Sequence, residues 1–529
     1  MALILRTLLL LLLFCSPVWA SQANVYLAQS AAGSANGADC ADAYSLLWAN
    51  TSGNWGTGPA QIGAGSTVHL CGTISVPVNG TGLTVYGSGT SGNPITILFE
   101  PGAQITSEAM STGINVGSNS YITVDGGAAG TIGGPNGNPA LVNGIIQDTA
   151  NGTSLANQVS SWGIAATDAS YLTVQNLAIY NMYVRTGITD ENNYSGGVSN
   201  EASDTNFTNY TVTNCIIHDA YMGINSDYGP AGADYTFSYN TIYNCNWGGR
   251  CGDRNSSSFM KGLYIHHNYF HDWTSWDDTG NEFHHNGFYG WAESGGALAN
   301  IYVYDNKVGP NYSNVALLGF NDSTSGLFFS GNVGNIFIYN NIFLANSGDA
   351  PADGMITVGP NNGYPGIGIY NNTFIGQGSA TAINGGAGNC TYTIENNIAS
   401  GVATFILFNY AASSTLVSNF NLGYNLSSSE AYSYSATSSS NFYAFAGWQG
   451  LGHDANSLTS NPNLNENYAP NSGSPAIGAG LNLTSLGITT LDSDMAGTSR
   501  LASGAWDIGA YKYTGSLPPP ANLHLINGS

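Results

Sequence analysis

Residues 237–242 read FSYNTI, and the same figure returns as IHHNYF (265–270), VYDNKV (303–308), IYNNIF (338–343), IYNNTF (369–374) and IENNIA (394–399). The aligned asparagines are Asn240, Asn268, Asn306, Asn341, Asn372 and Asn397, at spacings of 28, 38, 35, 31 and 25 residues. Two earlier segments, VQNLAI (174–179) and VTNCII (212–217), place Leu177 and Cys215 at that position. Apolar residues stand three before and two after it and alternate with polar ones, as in strands with one buried face. Asparagine tolerates the left-handed backbone of a tight bend better than most residues. Stacked strands lie about 4.8 Å apart, so asparagines on successive coils can bond amide to amide. Unequal spacing puts loops of varying length at the other bends.

A third strand also recurs, as WGIAATD (162–168), MGINSD (222–227), GGRCGD (248–253), NGFYGW (286–291), VALLGF (315–320) and DGMITV (353–358). Three strands per coil predict an all-β, right-handed parallel β-helix with an asparagine ladder. Helical solenoids have more regular periods and fit badly. Working outward, residues 21–130 read as an N-terminal β capping region, because an open coil end exposes unpaired strand edges. The helix is expected over 131–455, a distinct ending over 456–515 and a tail over 516–529. Residues 1–20 read as a signal peptide: basic Arg6, an apolar run Leu8 to Phe14, and Val18-Trp19-Ala20 before Ser21.

Composition narrows the partners. Charged residues make up only 7% of the chain, against 43% hydrophobic, so a core can form under a neutral, amide- and hydroxyl-rich surface. Eight Lys+Arg face 31 Asp+Glu, which argues against nucleic acid. No segment after the signal is long and apolar enough to span a bilayer. Export makes disulfides plausible, with Cys40 and Cys71 as one pair and Cys245 and Cys251 as another. Cys215 and Cys390 are expected to be buried thiols.

These features resemble the secreted bacterial right-handed parallel β-helix proteins of pectate-lyase-like fold. The run NPNLNENYAPNSGSPAIGAG (461–480), followed by LDSDMAGTSRLASGAWDIGAYKY (491–513), resembles the ending called a choice-of-anchor Q domain. The resemblance implies secretion or cell-surface deployment and a substrate groove along the third strand and its preceding loop. It implies no particular activity, because one fold hosts many functions. Catalytic signatures of pectinase-type hydrolases are not matched: HHNGF has Asn286 where an aspartate is wanted, and an Arg-x-Lys is absent.

Ionisable residues are concentrated in residues 250–285, which hold five of the nine histidines. Clustered titratable groups on a rigid scaffold mark candidate sites. Asp227, Arg250, Asp253, His284 and His285 are the candidate catalytic residues. Register predicts Asp227, Arg250, Asp253, Tyr289 and Trp291 on adjacent rungs; a one-residue slip at Gly248-Gly249 turns Arg250 inward. Trp273, Trp276, Tyr289, Trp291 and Arg254 are the candidate substrate-binding residues. Asp277, Asp278 and Glu282 offer hard oxygen ligands for a calcium ion; no other cofactor is expected.

Two reactions suit this set. In a lyase, Arg250 or a histidine takes the proton α to a uronate carboxylate. In a glycoside hydrolase, Asp227 and Asp253 act as a carboxylate pair. The bland alternatives are a hydrogen-bonded loop and, for His266, a stacking role beside Tyr304, Tyr339 and Tyr370. The leading expectation is a carbohydrate-active protein, a polysaccharide lyase or glycoside hydrolase, acting as a monomer on a polysaccharide or cell-surface glycan. The alternative is a non-catalytic surface, matrix or glycan-binding protein.

Overall fold

The computed structural model describes residues 21–515 apart from 151–158, 184–193, 202–206, 227–232, 254–258, 274–284, 293–296, 313–324, 349, 361–365, 387, 410–413 and 438–440. It is the expected right-handed parallel β-helix. The strands that precede the asparagine bend form one 14-stranded parallel sheet, from Asn24–Ala28 to Thr415–Asn419. The strands after the bend and the third strands merge into a 23-stranded sheet. They merge because Ile216–Ser226 and Thr241–Asp253 run through the corner between them without a break. In the first sheet Val25, Val68, Ile97, Val124, Val174, Val212, Phe237, Ile265, Val303, Ile338 and Ile369 point into the lumen, each fully buried. Thr67, Thr96, Thr123, Thr173, Thr211 and Thr236 pair rung to rung on the opposite face. Alternation with β-branched residues is what a half-buried sheet selects.

The bend differs from expectation in one detail. The left-handed residue is the one before each ladder asparagine: Tyr239, His267, Asp305, Asn340, Asn371 and Asn396 all have φ between 51° and 60°. The ladder asparagines instead turn inward and are fully buried. Each Nδ2 donates to the next Oδ1, at 3.0, 3.0, 2.9, 2.9 and 3.0 Å from Asn240 to Asn397. Asn397 continues the ladder to Asn421 at 3.2 Å. The same Oδ1 atoms also accept the main-chain N–H of the preceding rung's asparagine. The amides therefore supply bonds that the bent backbone lacks. The ladder ends on an acceptor, because Asn421 Nδ2 meets buried Asp454 Oδ1 at 2.9 Å.

The third-strand corner rests on a column of glycines. Gly82, Gly113, Gly163, Gly197, Gly223, Gly248 and Gly287 occupy successive rungs, and a Cβ at each would lie 2.3–2.7 Å from the next glycine's carbonyl oxygen. The strands in register here include Trp162–Thr167, Gly196–Glu201 and Asn286–Ala292. The rung after Asn286–Ala292 is Ser325–Gly331, not VALLGF, which lies outside the described residues.

The two ends and the bend edge are covered. Strands of the expected cap, such as Thr67–Leu70 and Ile95–Phe99, stand in the same first sheet as the later coils. Cys40 and Cys71 form a disulfide there, with Cα atoms 5.7 Å apart. A strap then crosses the bends of the early coils, up to the first coil of the ladder. Ile132 N–H donates to Asn214 Oδ1 (2.6 Å), and Gly134 N–H donates to Thr241 Oγ1 (2.9 Å). The C-terminal module lies along the bends of the later coils. Asn371 Nδ2 donates to the Asp507 carbonyl (2.9 Å), and Asn396 Nδ2 donates to that of Leu481 (2.8 Å). Leu483, Leu491 and Trp506 bury Tyr339 and Tyr370. The helix Phe445–Gly450 closes the lumen by stacking Trp448 on Tyr432 at 5.0 Å.

The second expected disulfide is corrected. Cys245 and Cys251 are separate buried thiols on the one strand Thr241–Asp253. They stand six positions apart along extended chain, far beyond the reach of a disulfide. Cys215 and Cys390 are buried as expected, and burial pushes the Cys215 thiol up to about 12.

Candidate functional site

The third strand carries a continuous row turned away from the lumen. Pairing sets Ser199, Asn225, Arg250, Tyr289 and Phe328 on five successive rungs. The neighbouring positions Val198, Ile224, Phe288 and Leu327 fill the core, so no slip has turned Arg250 inward. Glu201, at the end of its strand, accepts from Asn225 Nδ2 at 3.1 Å, and Asn225 Nδ2 lies 3.2 Å from Ser199 Oγ. The Arg250 guanidinium carbon lies 4.7 Å from the Trp247 ring centre and 5.7 Å from those of Trp291 and Tyr194. Tyr289 stacks on Phe328 at 5.2 Å. Tyr183, Tyr221, Met222 and Trp247 form an apolar cluster separate from the main core, with Trp162 and Tyr289 against it. The row thus joins a carboxylate, an amide, a guanidinium and a phenol along one edge, bordered by indoles.

Of the residues singled out in the sequence, Arg250 and Tyr289 are brought together as direct partners across two strands. Trp291 stands on the same rung as Tyr289, two residues further along the strand and paired with Gly252, and Asp253 pairs in backbone register with Ala292. His285 is buried, 3.3 Å from Asn246 Nδ2. Trp273 is corrected: it belongs to the main core and stacks on Tyr312 at 4.7 Å, so it fills the interior and not the third-strand row. Asp227, Arg254, Trp276, Asp277, Asp278, Glu282 and His284 lie outside the described residues. Among the described residues no cluster of metal-ligating side chains occurs. His266 stacks on Tyr304 at 4.8 Å, the structural role weighed for it. Burial and the neighbouring His267 bring its imidazole down to about 4.

A second polar column escaped the sequence reading. It lies on the strand after the asparagine bend, where Tyr180-Asn181, His218-Asp219, Tyr243-Asn244 and His271-Asp272 follow one another on successive rungs. The four rings stack at 4.7, 4.6 and 5.0 Å with interplanar angles of 8–11°. Each residue after the ring is left-handed, with φ of 63°, 49°, 50° and 52°. His218 Nδ1 lies 2.6 Å from Asp219 Oδ2, and His271 Nδ1 bonds Asp272 Oδ2. The second carboxylate oxygens accept from Asn244 Nδ2 (3.2 Å) and Asn311 Nδ2 (2.5 Å). Alternating amide and acid keeps two carboxylates off adjacent rungs, where like charge is costly. Burial, then the Asp219 charge, raises the Tyr243 phenol above its usual range, so it stays protonated. The signal was present as YN, HD, YN, HD, each pair three and four residues after its bend position.

The class defined by these features is the right-handed parallel β-helix with a polar third-strand shelf. No protein-family model matches the chain, and no curated protein matches it. Among solved structures it is similar to a GH136 lacto-N-biosidase from Eubacterium ramulus, with 10% identity over 82% of this chain and 68% of that one and a TM-score of 0.45. It is also similar to pectate lyase Pel9A, with 13% identity over 94% and 97% of the two chains and a TM-score of 0.34. A third is the A-module of the Azotobacter vinelandii mannuronan C-5 epimerase AlgE4, with 11% identity over 79% and 91% and a TM-score of 0.32.

Proposed function

We propose that the protein is carbohydrate-active, a polysaccharide lyase or glycoside hydrolase whose substrate lies along the third-strand row. The observation that carries this reading is the alignment of Glu201, Asn225, Arg250 and Tyr289 beside Trp247 and Trp291. Indole and phenol faces pack on sugar C–H surfaces, while amide, carboxylate and guanidinium groups bond hydroxyls and acidic substituents. A row repeating at rung spacing suits a linear polymer better than a compact ligand. Export fits the same reading: residues 1–20 have the order of a signal peptide, and Cys40–Cys71 suits an oxidising compartment. Residues 456–515 act as an anchor-Q-like ending.

A second reading, a non-catalytic glycan-binding or matrix protein, draws on the tight seating of the row. Trp247, Arg250 and Trp291 are each 5% exposed, so they form a rigid shelf. A panel of plant, algal and bacterial polysaccharides separates the two. Ultraviolet-absorbing unsaturated ends show a lyase, and new reducing ends without that absorbance show a hydrolase. Retention on a glycan without cleavage supports the second reading, and neither retention nor cleavage across the panel defeats both.

A further inference from the structure

The row around Arg250 supplies a cation, ring faces and the Glu201 carboxylate, and the alternating column around the corner supplies imidazoles held by carboxylates. We propose that His218, Tyr243 and His271 are the proton-transfer residues of this chain, with Asp219 and Asp272 as their positioning residues; this rests on the lyase form of the carbohydrate reading.

The argument starts from the imidazoles. In each histidine Nδ1 is occupied by the carboxylate of the next residue, which fixes the ring and leaves Nε2 as the basic nitrogen. Among the described residues neither Nε2 has a hydrogen-bond partner. Both carboxylates are held from the other side by an asparagine amide, so neither can swing away. The side chains keep access to solvent: His218 is 20% and His271 16% exposed. Between them stands Tyr243, stacked on both. Rings stacked face to face present their edges outward, so base, phenol and base follow at rung spacing. The column also adjoins the shelf. Tyr183, which packs on Tyr221 and Trp247, lies close enough to Asp219 to feel its charge.

The chemistry balances without a co-reactant. A histidine Nε2 takes the proton from the carbon α to a uronate carboxylate. That electron pair forms a carbon–carbon double bond, and the β carbon–oxygen bond to the next sugar breaks. The leaving oxygen takes the Tyr243 proton, and the imidazolium returns its proton to the tyrosinate.

The test uses the full chain, wild type and three variants: His218→Phe, His271→Phe and Tyr243→Phe. A phenyl ring retains the stack but carries no base, and circular dichroism with thermal melting verifies each fold. Alginate, polygalacturonate and hyaluronan are the probes, read by absorbance of unsaturated ends across pH. The expected result is wild-type cleavage that falls by about 100-fold or more in Tyr243→Phe and in one histidine variant. The acid limb of the pH profile should disappear in that histidine variant. Cleavage that survives all three substitutions overturns the assignment and leaves the carbohydrate reading standing. Hydrolytic products without absorbance also overturn it. If the wild type binds these glycans without cutting them, the assignment and the enzymatic reading both fail.

Discussion

A single buried carboxyl illustrates how this low-charge chain treats ionisation. Asp148 is fully buried, and burial pushes its pKa up to about 6 against bonds from Ser161 Oγ (2.6 Å) and Met110 N–H (2.7 Å). A carboxyl weaker in the fold than in the unfolded chain holds its proton more tightly when folded. Its contribution is therefore complete below about pH 4 and is lost as pH rises to about 6. A shift of that size corresponds to about 3 kcal/mol. Urea denaturation at pH 4 and pH 7 should show the wild type losing up to that amount relative to Asp148→Asn; an equal gap at both pH values would refute the titration. Asn306 belongs to the same scale. Asn306→Ala strands the amide of Asn268 and the Ile265 carbonyl inside the bend. Each stranded group costs about 1–3 kcal/mol, so the midpoint in denaturant should fall by the equivalent of about 3–5 kcal/mol. The ladder asparagines were readable because they recur at one place between apolar residues. Their partner, the left-handed residue one step earlier, was not, because Tyr, His and Asp fill it in the first three ladder bends and Asn only in the later three.

At the scale of the element, the third strand had a legible recurrence whose physical reason lay elsewhere. Its second position is glycine in WGIAATD, MGINSD and NGFYGW and its first in GGRCGD, but only stacking shows that the next rung's carbonyl occupies the space of a side chain. Gly223→Val should abolish soluble protein or cost more than about 3 kcal/mol, since overpacking against backbone cannot relax. Gly359→Ala is the matched control: nothing lies within 4 Å of its Cβ position, and stability should stay within about 0.5 kcal/mol. Soluble expression and thermal melting of the two variants decide the point. Candidate site residues were less legible than the strands that bear them. Arg250 and Tyr289 emerged from register, whereas Glu201 and Asn225 carry no local signature. Trp273 was misread because an aromatic beside a polar loop looks the same whether it faces sugar or lumen.

Over the whole molecule, the β-helix was legible and the covering of its flank was not. The ending runs beside the coil and is pinned by Arg500. That guanidinium is buried, donates from Nη2 to Asn340 Oδ1 at 2.8 Å and to the carbonyls of Gly509 and Ala510 at 3.3 Å, and is lowered to about 10 by burial. Arg500→Ala should loosen the module without unwinding the coil. Limited proteolysis should then cut within 456–515 at least tenfold faster than in the wild type, while far-ultraviolet circular dichroism is unchanged. Such docking contacts join residues 85 to 160 positions apart, and the two partners share no common motif.

The strap over the early bends imposes an order of assembly. Gly134 reaches for a hydroxyl 107 residues downstream, so it has nothing to hold until Thr241 has been wound into place. A chain emerging from its amino end must therefore keep this glycine-rich length waiting on the outside while several turns form beneath it. Fastening comes late and from the side, as a seam closed over finished cloth, and a polypeptide stopped short of residue 241 would leave that seam open.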